Sequence, residues 1–159
     1  MPLILGAQSA TAVAQDNSCR FNRPDNPRLY RTPGSDGNRK TFTVSCWVKR
    51  SGLSSYQPIW ETSGYCWADF KSDDSLRVGC GNGVGNRTTD RLFRDVGAWM
   101  HLVFKFDTTQ GAAADRLRIY INGVEETSFS ASVVVVQDFD TDMNWTGAAM
   151  DVLNDGDGT

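Results

Sequence analysis

The run Trp99-Met100-His101-Leu102-Val103-Phe104-Lys105-Phe106-Asp107, with Leu117-Arg118-Ile119-Tyr120-Ile121-Asn122-Gly123-Val124 after a polar stretch, decides the fold class. Met100, Leu102, Phe104 and Phe106 alternate with His101, Val103 and Lys105. Leu117, Ile119 and Ile121 alternate with Arg116, Arg118 and Tyr120. A period of two places each apolar set on one face of a strand. Asn122-Gly123 is the residue pair that best tolerates positive φ in a tight hairpin, so Val124 is expected to return antiparallel.

Working outward, Thr41 to Arg50 repeats the pattern, with Phe42, Val44, Cys46 and Val48 on one face and Thr43, Ser45, Trp47 and Lys49 on the other. Shorter strand candidates are Cys19 to Asn22, Leu29 to Thr32, Pro58 to Thr62, Tyr65 to Lys71, Leu76 to Gly81, Arg91 to Phe93, Val133 to Val136 and Thr146 to Leu153. Many short strands separated by Gly, Asp and Asn predict an all-β antiparallel sandwich or barrel. Thr32 to Lys40 and Gly81 to Asp90 are rich in Gly, Asn and charge and read as exposed loops.

One hairpin can be set in register. A Ser72-Asp73-Asp74 connection brings Phe70 opposite Leu76, Ala68 opposite Val78 and Cys66 opposite Cys80, whereas a connection one residue shorter scrambles the apolar face. The favoured register holds the two sulfurs at a Cα separation of about 4.5 to 5.5 Å, within disulfide reach. Their redox state depends on compartment.

Composition bounds the rest. A chain of 159 residues with 40% apolar and 22% charged residues supports one ordinary core. Its net charge of -3, with Arg and Lys dispersed, gives no footprint for nucleic acid. Cys19, Cys46, Cys66 and Cys80 contain no C-x-x-C pair, and there is one histidine, so zinc is disfavoured. The apolar stretch within residues 1–17 is too short to span a bilayer, and no membrane insertion is expected. It lacks a basic start, and reads as a flexible or docking arm ahead of a domain over residues 18–159. Ala12-Val13-Ala14 leaves a cleaved leader open.

The Trp99 to Phe104 strand, the Asp107 turn and the Tyr120-Ile121-Asn122-Gly123 hairpin resemble the laminin-G-like, concanavalin A-like lectin family, and Phe42 to Arg50 matches that family's first long core strand. The resemblance spans roughly Ser18 to Leu153 and implies a jelly-roll β-sandwich. A narrower likeness lies in Pro2-Leu3-Ile4-Leu5-Gly6-Ala7-Gln8-Ser9-Ala10, Ser18 to Asn22, Arg31-Thr32-Pro33 and Gly37 to Phe42. These strings are similar to the start of virion proteins of marine tailed phages, including tail fibres and surface attachments. That similarity implies a virion-surface location after assembly in the host cytoplasm, and an arm that docks on other virion proteins. It also implies contact with host glycan or protein, and homo-oligomerisation, trimeric in a fibre. The rival is a secreted lectin or glycoside hydrolase. In the resembling family the first strand, here Cys19 to Asn22, pairs with a strand following the one matched by Thr146 to Leu153. Its absence leads us to expect that the chain continues, or that a neighbour supplies that closing strand.

The family's hydrolases carry an E-x-D-x-x-E arrangement, and this chain has three glutamates, Glu61, Glu125 and Glu126, of which the last two alternate faces of one strand. No acid pair is nominated by spacing, and no catalytic residue is expected. His101 has no Gly-x-Ser-x-Gly elbow to serve. Asp138, Asp140 and Asp142 begin like a calcium loop, but Met143 and Ala149 stand where the EF-hand needs Gly and Glu. No cofactor is indicated, and loop calcium of the lectin kind stays open. Gly79 to Gly85 has neither the spacing nor the following helix of a phosphate cradle. Trp60, Tyr65 and Trp67, flanked by Asp69 and Arg87, are the candidate ligand-binding set, since sugars bind an aromatic face ringed by polar groups. The bland alternative is that these rings cover the sheet or a subunit contact.

Overall fold

The computed structural model describes residues 19–21, 27–63, 65–81 and 85–152. Among these residues eleven antiparallel strands form two sheets. The larger contains β1 (Leu29–Arg31), β11 (Met150–Val152), β3 (Gln57–Thr62), β4 (Cys66–Phe70), β5 (Ser75–Cys80), β6 (Gly85–Leu92) and β10 (Phe129–Val133), in that spatial order. The smaller runs β2 (Thr41–Val48), β7 (Met100–Asp107), β8 (Leu117–Ile121), β9 (Val124–Glu125). Helical conformation among the described residues is confined to a 3-10 turn at Ala113–Asp115.

The alternation read in the sequence is the reason the sheets face each other. Leu102, Phe104, Phe106, Leu117, Ile119 and Ile121 from the small sheet, and Trp60, Ala68, Phe70, Leu76 and Val78 from the large one, are all at most 4% exposed. Trp60 ties the layers together, with its ring centroid 6.4 Å from Phe104 and 6.5 Å, edge-on, from Phe106. Phe42 stacks on its cross-strand partner Phe106 at 4.7 Å.

Cys66 stands opposite Cys80, Ala68 opposite Val78 and Phe70 opposite Leu76, as the register argument requires. The two cysteines are joined by a disulfide with Cα atoms 3.9 Å apart. At the β4–β5 connection Lys71 N–H donates to Ser75 O at 2.9 Å and Asp74 takes φ 70°, so a turn closed by a left-handed residue links the strands. Asn122 and Gly123 have φ 51° and 82°, the two positive values of a type I′ hairpin.

Three expectations are corrected. Cys19 to Phe21 lies outside any strand, and Asn22 lies outside the described residues. The first described strand is β1, whose partner is Met150–Val152 itself, inserted between β1 and β3. The outer edge of β1 has no partner among the described residues. The segment expected as a loop from Gly81 to Asp90 is largely strand β6, because its polar residues are satisfied in place: Thr89 Oγ1 accepts Leu76 N–H at 3.1 Å and donates to Arg91 O at 2.8 Å. Val135 also packs directly on Gly85, leaving no room for a Cβ there. The strand expected at Val133 to Val136 lies earlier, at Phe129–Val133, because its backbone pairs with Asn86 to Thr89 of that unforeseen strand. The proposed arm, residues 1–17, lies outside the described residues.

Candidate functional site

Directly paired residues of adjacent strands share a face, so the ladder sorts the candidate residues. One row crosses the whole larger sheet: Tyr30, Asp151, Glu61, Trp67, Gly79, Asn86, Val133. It is the outer row, since the neighbouring residues Cys66, Ala68, Val78 and Cys80 are fully buried in the core. Trp67 is half-buried and lies over Gly79, where a Cβ would come within 2.9 Å of Trp67 Cζ2. Arg77 stacks on the same indole, its guanidinium carbon 5.6 Å from the ring centroid.

Asp69, two residues along β4 from Trp67, is fully buried beneath Arg77 and Tyr56. Arg77 Nη2 donates to Asp69 Oδ2 at 2.9 Å and Arg77 Nε at 3.2 Å, while Tyr56 hydroxyl donates at 3.3 Å. Burial pushes the Asp69 carboxyl above its ordinary range, and the hydrogen bonds and charge of Arg77 offset this only in part. Burial and the neighbouring Asp69 charge likewise raise the Tyr56 phenol. Tyr65, 46% exposed just before β4, completes a line of alternate residues, Tyr65, Trp67 and Asp69, along one face. Trp67 Nε1 and Asp151 Oδ1, on either side of Glu61 in the row, are buried without hydrogen-bond partners among the described residues.

Two members of the candidate set are not in this line. Trp60 pairs with Ala68 and is 2% exposed in the core, so its ring is on the inner face. Arg87 pairs with Val78, also inward-facing, and its guanidinium reaches across to Ala114 O at 3.0 Å with Phe129 beneath it at 4.8 Å. Asp138 faces Lys40 and Asp142 faces Arg39, each at 3.6 Å, and the described residues contain no group of three or more side chains placed to hold a metal.

A second aromatic group, which the sequence reading did not assemble, occupies the outer face of the smaller sheet. Trp47 and His101 are directly paired, their rings stacked at 5.0 Å with planes 20° apart. Ser45 Oγ and His101 Nε2 are 2.8 Å apart. The Asn122 side-chain oxygen accepts His101 N–H at 2.8 Å, and Asn122 N–H donates to His101 O at 2.8 Å. Trp47, Trp99, His101, Asn122 and Gly123 line an open depression of about 500 Å³.

A family model described as the concanavalin A-like lectin/glucanases superfamily matches residues 26–158. The chain belongs to this superfamily. A comparison with curated proteins finds no match. A concanavalin A-like sandwich of this family points to carbohydrate as the ligand class, and the family contains both binders and hydrolases. Glu125 pairs with Arg118 at 3.4 Å, and Glu126 accepts the backbone N–H groups of Thr127 and Ser128 at 3.1 Å each. Glu61 and Asp151 are direct cross-strand neighbours on the outer row, a juxtaposition invisible in sequence because β3 and β11 are far apart along the chain.

Proposed function

We propose that this domain is a non-catalytic carbohydrate-binding module whose contact surface is the outer face of the seven-stranded sheet. The observation that carries the reading is the Tyr65–Trp67 line, an exposed phenol beside a half-buried indole packed over Gly79. It is bordered by the Asp69–Arg77 pair. Aromatic faces cover the apolar side of a pyranose while fixed polar groups select its hydroxyls. The test is binding of the purified chain to immobilised glycans, with Trp67→Ala and Tyr65→Ala variants. Undiminished binding by both would remove this face from the function.

Within that reading, the module serves host recognition or decoration on a phage virion, fibre or capsid. It contacts host-surface glycan or protein, assembles as an oligomer, and attaches to other virion proteins through residues 1–17. The support is the similarity of Pro2 to Ala10 and of Ser18 to Asn22 to virion proteins. Recovery of the chain from purified particles with Met1 or Pro2 at its N-terminus tests it, and a mature N-terminus beyond Ala14 in culture fluid favours a secreted lectin.

A hydrolase is the second reading, favoured by one observation: Glu61 and Asp151 stand side by side on the glycan-facing row. Retaining glycosidases place two carboxyl groups about 5 to 5.5 Å apart. Release of reducing sugar that is lost in both Glu61→Gln and Asp151→Asn would establish it, and binding without turnover is the expected result.

A further inference from the structure

We infer that the outer face of the four-stranded sheet is a second carbohydrate site, for neutral sugars, built on Trp47, Trp99 and His101. This rests on the carbohydrate reading of the domain but not on the residues of the larger sheet. Trp47 is 56% exposed and Trp99 53%, at the end of two strands whose inward neighbours Val48 and Met100 pack in the core. Exposing two indoles beside one another is unfavourable without a ligand to cover them, since each presents a large apolar surface to water. Their positions are fixed by the sheet. Trp47 stacks on His101, His101 is held by Ser45, and the Asn122 side chain and backbone clasp the His101 backbone.

The lining defines the ligand class. No Asp, Glu, Lys or Arg lines the depression among the described residues; its polar groups are the imidazole of His101 and the side chain of Asn122. Asn122 Oδ1 is committed to His101 N–H, while its Nδ2 makes no hydrogen bond among the described residues and remains a donor for a ligand oxygen. A neutral ring with one apolar face and hydroxyls at its edge fits these groups, and the exposed Lys49, two residues beyond Trp47, does not line the depression. The outer face of the smaller sheet also carries Lys105, Arg118 and Glu125, none of which lines the depression. The two sites lie on opposite faces of the sandwich, so one domain can hold two glycan chains at once, with the gain in avidity that linked sites bring.

The experiment is an NMR titration of the intact chain with neutral hexaoses of glucose, mannose and galactose, and with oligogalacturonate as the charged comparator, following the indole N–H signals. The expected result is a saturable shift of the Trp47 and Trp99 signals by at least one neutral hexaose. Trp47→Ala and Trp99→Ala should each weaken that response about tenfold, as loss of one stacking ring predicts. Trp47→Phe should retain most of it, and Trp67→Ala should leave it unchanged. Because both tryptophans are exposed, the variants should keep the backbone spectrum of the parent, which the same experiment shows. The inference is overturned if neutral hexaoses move only the Trp67 signal, if no saccharide moves any indole, or if oligogalacturonate alone moves Trp47. It is also overturned if these signals shift with protein concentration in the absence of sugar, which marks the face as a contact between copies. Movement of Trp47 and Trp99 with no saccharide moving Trp67 upholds this site and removes the one on the larger sheet.

Discussion

Trp67 and Gly79 form a matched cross-strand pair: the indole occupies the space that a side chain at Gly79 would take, and a Cβ there would also come within 2.8 Å of Gly85 O. Gly79→Ala therefore must displace either the indole or the β5–β6 ladder. Overpacking of this kind destabilises by about 1–3 kcal/mol. Urea unfolding should show that loss, and glycan binding should fall with it. A Gly79→Ala protein of parental stability and affinity would show that the ring is not held as described.

The Cys66–Cys80 disulfide closes a loop with a sequence separation of 14 and lies fully buried between β4 and β5. By loop-closure entropy in the unfolded chain, its loss should lower stability by about 3 kcal/mol. The check is a Cys66→Ala/Cys80→Ala double variant followed by denaturant unfolding. Equal midpoints for parent and variant would mean that the β4–β5 register is set by Phe70–Leu76 and Ala68–Val78 packing alone.

Acid should weaken the fold. Asp36 is held below the usual carboxylate range by the backbone N–H and hydroxyl of Thr146, Asp73 by the Ser75 hydroxyl and N–H, and Asp107 by the Thr109 hydroxyl and Gln110 amide. Such groups bind protons more readily when unfolded, so their contribution is present above the unfolded value of about 3.9 and is lost as pH falls through their lower folded values. Asp69 and Asp142, raised by burial, act oppositely: their contribution is lost as pH rises from that value through the folded one. Urea midpoints measured against pH should decline below about pH 4. Asp107→Asn should flatten that decline, and Asp69→Asn should flatten the opposing slope above it. A midpoint independent of pH in both ranges would contradict these assignments.

The parts of the fold that sequence made legible are those in which one strand carries its own pattern. Leu102, Phe104 and Phe106 alternate with the less apolar set His101, Val103 and Lys105, Asn122-Gly123 specifies its turn chemically, and the β4–β5 register follows from matching apolar residues across a short connection. What was not legible depends on partners distant along the chain. Thr88 and Thr89 are buried because their strand is paired on both sides, with β5 and β10, so its polar composition reads as a loop in sequence. Trp60 and Trp67 are close in sequence but on opposite faces, which follows from the pairing Trp60–Ala68 and Glu61–Trp67 beside an irregularity after Pro58. Trp47 and His101 each stood on the less apolar face of a predicted strand. Only the β2–β7 register brings them together.

Arg50 and Asp74 make the most buried ion pair among the described residues, and it should control the β4–β5 turn. Asp74 sits at positive φ, a backbone state that aspartate tolerates better than most residues. Its carboxylate accepts Ser54 N–H at 2.8 Å and faces Arg50 Nη2 at 3.1 Å and Arg94 Nε at 3.5 Å. The Ser54 N–H foremost, with Arg50 and Arg94, holds that carboxyl below its usual range. Arg50 in turn donates to Gln57 Oε1 at 2.9 Å and to Phe93 O, and its guanidinium lies 4.6 Å from the Phe70 ring centroid. Arg50→Met removes the cation and leaves a carboxylate out of water, which is more damaging than removing both charges. The single variant should therefore unfold at lower urea than the Arg50→Met/Asp74→Asn double variant, despite carrying fewer changes. Simple additivity of the two single substitutions in a double-mutant cycle would show that the two charges do not depend on each other.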